Sequence, residues 1–242
     1  ITFIGNKAAS GGGMYLLTAA VNLSDLIFKG NSATATGGGF FNSNGKPVFK
    51  NVQFIENTAV LQGGGIYQTA GTTTIGSGVF SQNKVSNAGA YYGAGYYNYN
   101  GITTLTNTTF SNNTIAYNNA TVANQYGAAL SRYAGTVTLN NSILWGNKRG
   151  NGMADQLPTG IIAVSNNIEG DYKTGTKIVK VDPQFTNAAT HDLSLDPCSP
   201  LINMGDNTKA AGIVSDVTGA PRIKHTQIDL GAYEFQGTYL ES

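Results

Sequence analysis

The sequence predicts an all-β fold: a single-stranded, right-handed parallel β-helix with a C-terminal cap. Three observations predict it. A block of about 26 residues recurs through the first two-thirds of the 242-residue chain. Each copy carries an aromatic or leucine followed three residues later by asparagine, at Phe3/Asn6, Phe28/Asn31, Phe54/Asn57, Phe80/Asn83, Phe110/Asn113 and Leu144/Asn147. Most copies also carry a small-residue triplet followed by bulky side chains, at 11–15, 37–41, 63–67, 93–97 and 127–130. A fixed period of this length marks a stacked-repeat architecture, in which each unit buries its apolar face only against its neighbours.

Each part of the unit then has a physical reading. Five residues before the aromatic stand Leu23, Phe49, Ile75, Leu105 and Leu139; three before it stand Asp25, Asn51, Ser77, Asn107 and Asn141. Glycine, threonine and asparagine are poor helix formers, so a continuous amphipathic helix is excluded. Segments such as Thr72–Ile75, Ile102–Leu105 and Thr136–Leu139 have the β-branched alternation of strands bounded by turns. The repeated asparagine predicts an amide ladder, each side chain bonding to the coils above and below. The triplet predicts a corner where backbones approach too closely for a side chain. In the pairs Phe40–Phe41, Ile66–Tyr67 and Tyr96–Tyr97, one member of each is expected to point into the core.

Composition narrows the function classes. Charged residues make up 11% of the chain against the roughly 25% usual for soluble domains, and the formal net charge is +1. No basic stripe is present to meet a phosphate backbone, so nucleic acid is not an expected partner. Cys198 stands alone, which excludes an internal disulfide. No apolar run is long enough to span a membrane. The first residues read as the end of a unit whose start is missing, so a fragment or mature piece of a longer protein is expected, and a monomer.

Residues 1–180 are read as the repeats, 181–236 as degenerate coils and cap, and 237–242 as a tail. The second section is richer in proline and aspartate and contains the strings Asp182-Pro183-Gln184-Phe185, Leu195-Asp196-Pro197-Cys198-Ser199-Pro200-Leu201-Ile202-Asn203-Met204-Gly205-Asp206-Asn207, Asp216-Val217-Thr218-Gly219-Ala220-Pro221-Arg222 and Asp229-Leu230-Gly231-Ala232-Tyr233-Glu234-Phe235. The glycine triplets and aromatic-x-x-Asn tetrapeptides resemble the repeats of bacterial polymorphic outer-membrane proteins, which are surface β-helical adhesins. The C-terminal strings resemble the choice-of-anchor Q domain of exported bacterial β-helix proteins, except that Cys198 and Asn203 depart from its pattern. Together the two resemblances cover nearly the whole chain. They imply export to an extracellular or cell-surface location, and no particular chemistry.

Two unit spacings are longer than the rest: ten residues separate Asn83 from Gly93, and fourteen separate Asn113 from Gly127. Both extensions fall at one corner of consecutive coils, where solenoids commonly build a binding surface. They bring Tyr91, Tyr92, Tyr117, Asn119, Gln125 and Tyr126, with Tyr99 just beyond. Tyrosine offers a flat apolar face and a hydroxyl at low entropy cost, which suits a sugar or a protein surface. A non-catalytic adhesin or glycan-binding solenoid is therefore expected, with a glycan or host-cell protein as partner. A polysaccharide lyase or glycoside hydrolase is the alternative, with Glu56 and Asp155 as its candidate carboxylates; a structural stalk is a third reading. No cofactor is expected. Were calcium to bind, Asp206, Asp216 and Asp229 would be its ligands, though Asp-Pro and Asp-x-x-Gly contexts are ordinary turn chemistry.

Overall fold

The computed structural model describes residues 1–87, 93–116, 127–170, 172 and 174–238, which form a parallel β-solenoid of about six turns. Three sheets run along it. The long sheet stacks Thr2–Ile4, Ala20–Lys29, Lys46–Ile55, Thr72–Ser81, Ile102–Ser111, Thr136–Asn140 with Ile143–Trp145, Ile162–Ile168 and Thr176–Val179. A narrow sheet stacks the short strands that follow the repeated asparagines, from Lys7–Ser10 to Lys148–Arg149. A third, aromatic sheet stacks Met14–Leu16, Phe40–Asn42, Ile66–Gln68, Tyr96–Asn98 and Leu130–Arg132. Every pairing within these three sheets is parallel, as a chain winding one way requires.

The register follows the repeat. Phe28, Phe54, Phe80 and Phe110 pair in line and point inward, their rings stacked at 4.8, 5.0 and 4.3 Å between centroids. Leu23, Phe49, Ile75, Leu105 and Leu139 form a second column on the same strands. Between the two columns each long strand bends at Asp25, Asn51, Ser77, Asn107, Asn141 or Ser165, whose φ values lie between 48 and 57°. Asparagine and aspartate tolerate this left-handed conformation best among residues with a side chain, which explains the small polar position of the repeat.

The asparagine ladder holds throughout. Asn31, Asn57 and Asn83 each donate their backbone N–H to the Oδ1 of the next rung, at 3.0 Å. Each side-chain amide also bonds that Oδ1 and a phenylalanine carbonyl of the coil before. All three are fully buried, so the ladder satisfies turn backbone that has no other partner. At the triplet corner, a Cβ on Gly38 would sit 2.4 Å from the Gly64 carbonyl oxygen. Alanine takes this place only at Ala94 and Ala128, where the corner before it is lengthened.

Residues 181–236 run along the outer flank of the long sheet. Leu193, Val217 and Ala232 pack on Val79, while Leu195, Leu201 and Leu230 pack on Ile143. Polar bonds reinforce the contact: Ser77 Oγ donates to the Ser215 carbonyl at 2.9 Å, the Ala232 N–H to Thr109 Oγ1 at 2.9 Å, and the Asp206 N–H to Asn141 Oδ1 at 2.8 Å. This strap touches four consecutive strands of the long sheet. No helix among the described residues is long and apolar enough to cross a membrane.

Candidate binding face

The outer side of the aromatic sheet is set by strand alternation. Phe40, Ile66 and Tyr96 point inward and are fully buried; Tyr15, Phe41, Tyr67 and Tyr97 point outward in register. The outward ring centroids lie 4.6, 5.1 and 5.4 Å apart, the first two pairs stacked and the Tyr67–Tyr97 pair tilted by 35°. Exposure falls along the column, from 51% at Tyr15 to 1% at Tyr97. The inward Tyr96 hydroxyl is satisfied by the Gln68 side-chain oxygen and by Thr103 Oγ1, and burial pushes its pKa up to about 12. It is a structural phenol.

One turn beyond the aromatic sheet, Tyr99 lies parallel to Tyr133, with centroids 5.0 Å apart and planes 3° from parallel. The two are 42% and 65% exposed. Their backbones are pinned, Tyr99 N–H to the Gln68 carbonyl at 2.8 Å and Tyr133 N–H to the Asn98 carbonyl at 2.9 Å. Burial, and then the neighbouring Tyr99, hold the Tyr67 phenol above its ordinary pKa. The stacked rings spend much of their faces on one another. They offer solvent mainly edges and hydroxyls, with full ring faces only where a stack ends.

Tyr99 is the one expected contact residue within the described part of the chain. Tyr91, Tyr92, Tyr117, Asn119, Gln125 and Tyr126 lie outside the described residues. Their anchors are in place: Lys84–Val85 pairs with Thr114–Ile115, and the Ala94 N–H donates to the Ala128 carbonyl at 2.8 Å. Both lengthened segments therefore leave and rejoin the solenoid one above the other, on the edge of the aromatic sheet. Tyr133 was not foreseen. Its signal was its place one repeat after Tyr99, at the turn position that Ser43 and Thr69 fill in earlier coils.

The acidic candidates are arranged differently. Glu56 is 44% exposed, with its Oε1 3.0 Å from His191 Nε2, and His191 Nδ1 is 2.9 Å from Ser81 Oγ. His191 thus ties the strap to two coils. Asp155 is buried and bound at both oxygens by Arg149, at 2.8 and 3.1 Å, and burial still raises its pKa. The two carboxylates stand at least three ladder rungs apart, since Asn57 follows Glu56 and the Asp155 N–H bonds the Asn147 carbonyl. At the roughly 4.8 Å strand spacing that is about 14 Å, beyond the ~5–10 Å of paired glycosidase carboxylates.

Asp216 accepts the Thr218, Ala220 and Glu234 N–H groups, and Asp229 those of Asn203 and Phe235. Asp206 caps a short 3-10 turn through Thr208, whose hydroxyl and amide hold its pKa low, and lies 3.8 Å from Lys177. These are turn-forming bonds, and among the described residues no three His, Cys, Asp or Glu side chains converge on one point. Buried Arg222 instead pairs with Glu234 at 3.2 Å and donates to the Asp229 and Ala232 carbonyls. Burial, then the nearby Asp229, push the Glu234 carboxyl up to about 7 against the pull of Arg222.

No family model and no curated protein matches this chain.

Proposed function

We propose that the chain is an exported bacterial cell-surface solenoid that binds without catalysis, using the tyrosine-bearing side of the aromatic sheet to hold a glycan or a protein surface. The observation that carries this reading is the exposed Tyr99–Tyr133 stack, fixed on hydrogen-bonded coils at the edge of the aromatic sheet opposite to the one where both lengthened segments rejoin it. Two rigid phenols lose little entropy on binding and offer both apolar surface and hydroxyls. The repeat and C-terminal resemblances support export and surface display. The fates of Glu56 and Asp155 support binding over glycoside hydrolysis, because each is tied to a basic partner and they stand far apart.

A glycan array with the wild type and with Tyr99→Ala/Tyr133→Ala tests the face. The double variant is expected to weaken the selected ligand by about tenfold, or ~1.4 kcal/mol. A Tyr91→Ala/Tyr92→Ala variant assigns the share of the lengthened corner. Undiminished binding by both variants would place the contact elsewhere. New reducing ends or unsaturated products from incubated polysaccharides would establish the enzyme reading instead.

A further inference from the structure

The strap creates a second concavity, away from the aromatic sheet. Between residues 209–215 and the outer face of the long sheet lies a groove of about 330 Å³. That volume falls at the lower end of the roughly 300–1,000 Å³ range of small-molecule sites. Its floor is the outward side of three strands, where Val48, Thr74 and Thr104 lie in register and Thr106 stands two residues beyond Thr104. Gly76 leaves the gap that seats the strap: a Cβ there would meet Ile213 carbons at 3.2 Å.

The electrostatics of this groove are one-sided. Lys50 enters from the sheet and Lys209 from the strap; both are exposed, and neither forms a salt bridge among the described residues. At the rim, Asn51 Nδ2 donates to Asp25 Oδ1 at 3.1 Å and to Ser215 Oγ at 3.2 Å, so the nearby acid is held by an amide. Asp206, whose pKa feels Lys209, is occupied by Thr208 and by Lys177. Two cations without a salt bridge among the described residues, in one recess, are conspicuous in a chain with only 14 basic residues and a net charge of +1.

Threonine side chains on a flat strand face alternate methyl and hydroxyl groups at roughly the 4.8 Å strand spacing. A pyranose offers the complement, a C–H face bordered by hydroxyls. A carboxylate on that ring would complement the two ammonium groups, which act on anions as point charges. We propose that this groove binds a uronic-acid unit of an acidic oligosaccharide, its carboxylate met by Lys50 and Lys209 and its ring by the threonine floor. The site is separate from the tyrosine face, and either can fail without the other.

The test is calorimetric titration with trigalacturonate, with neutral trigalactose as the uncharged counterpart. Lys50→Met/Lys209→Met is the variant, and Lys84→Met, on the narrow sheet, is the control. The expected result is binding of trigalacturonate by wild type and control, about tenfold weaker binding by the double variant, and weakening by added salt. Melting temperatures within about 1 °C of wild type accompany this result, since neither lysine forms a salt bridge among the described residues. Equal binding of trigalactose, an unaffected double variant, or no binding of trigalacturonate would each overturn the proposal. Displacement of trigalacturonate by equimolar inorganic phosphate would overturn it as well, by showing a site for any anion.

Discussion

Asn83 takes part in six hydrogen bonds that cross between coils: it accepts two from Asn57 at its side chain, donates two to Asn113 and one to the Phe54 carbonyl, and its own carbonyl accepts one from the Thr114 N–H. Truncation to alanine leaves the Asn57 N–H buried and unpaired, at about 1–3 kcal/mol for the orphaned group, and removes one bond each from the Asn57 side-chain amide and the Phe54 carbonyl, at about 0.5–1.5 kcal/mol apiece. Asn83→Ala is therefore expected to lose ~2–5 kcal/mol, read as a lowered thermal midpoint by circular dichroism. A midpoint equal to wild type would show that the ladder is dispensable. This residue was legible in the sequence because the period itself placed it over Asn57 and under Asn113. The conformation of Asp25, Asn51 and Ser77 was less legible. A small polar residue is compatible with a cap, a turn or a left-handed bend, and only the backbone distinguishes them.

The strap is held by a buried polar cluster whose charge depends on pH. Glu234 has its pKa raised from 4.5 to about 7, so its protonated form favours the folded state. Its contribution is fully present below about 4.5 and is lost as pH rises through about 7. Asp155 and Asp229, also raised by burial, act in the same direction, whereas Asp206 is lowered and loses its contribution only in more acidic solution. Amides of 216–235 are thus expected to be better protected from hydrogen exchange at pH 5 than at pH 8, after correction for intrinsic rates. Glu234→Gln should flatten that difference, and an unchanged pH profile in the variant would remove Glu234 as its source. The position of the strap was only partly visible in the sequence. Val79 and Ile143 occupy an outward register position held by Gln53 in an earlier coil, and an apolar residue there signals a covering element. Which segment does the covering could not be read, because its hydrogen bonds come from main-chain groups such as those of Ser215, Asp229 and Ala232 that carry no sequence signature.

On the scale of the whole molecule, most tertiary bonds join residues about one repeat apart, as in any stack of coils. Among the described residues, the bonds that reach well beyond one repeat belong to the strap, whose partners on the coils lie 65 to 164 positions away in the chain. Such a stack was readable from its period, but a long-range tie across it has no periodicity to betray it. The candidate face was legible to a similar degree: Tyr99 and the lengthened corner follow from spacing, while the Tyr99–Tyr133 stack needed the register of two turns. The tie has a mechanical consequence. A bare solenoid pulled from its two ends unzips winding by winding, each step needing only the rupture of one layer. Here a cross-brace spans four layers, so they must be sheared loose together before any of them peels. Optical-tweezer traces should show one tall rupture followed by a regular low sawtooth, and Arg222→Ala should erase the tall event while sparing the sawtooth. Under the proposed surface-binding role, that brace would set the load at which the molecule lets go in flowing liquid.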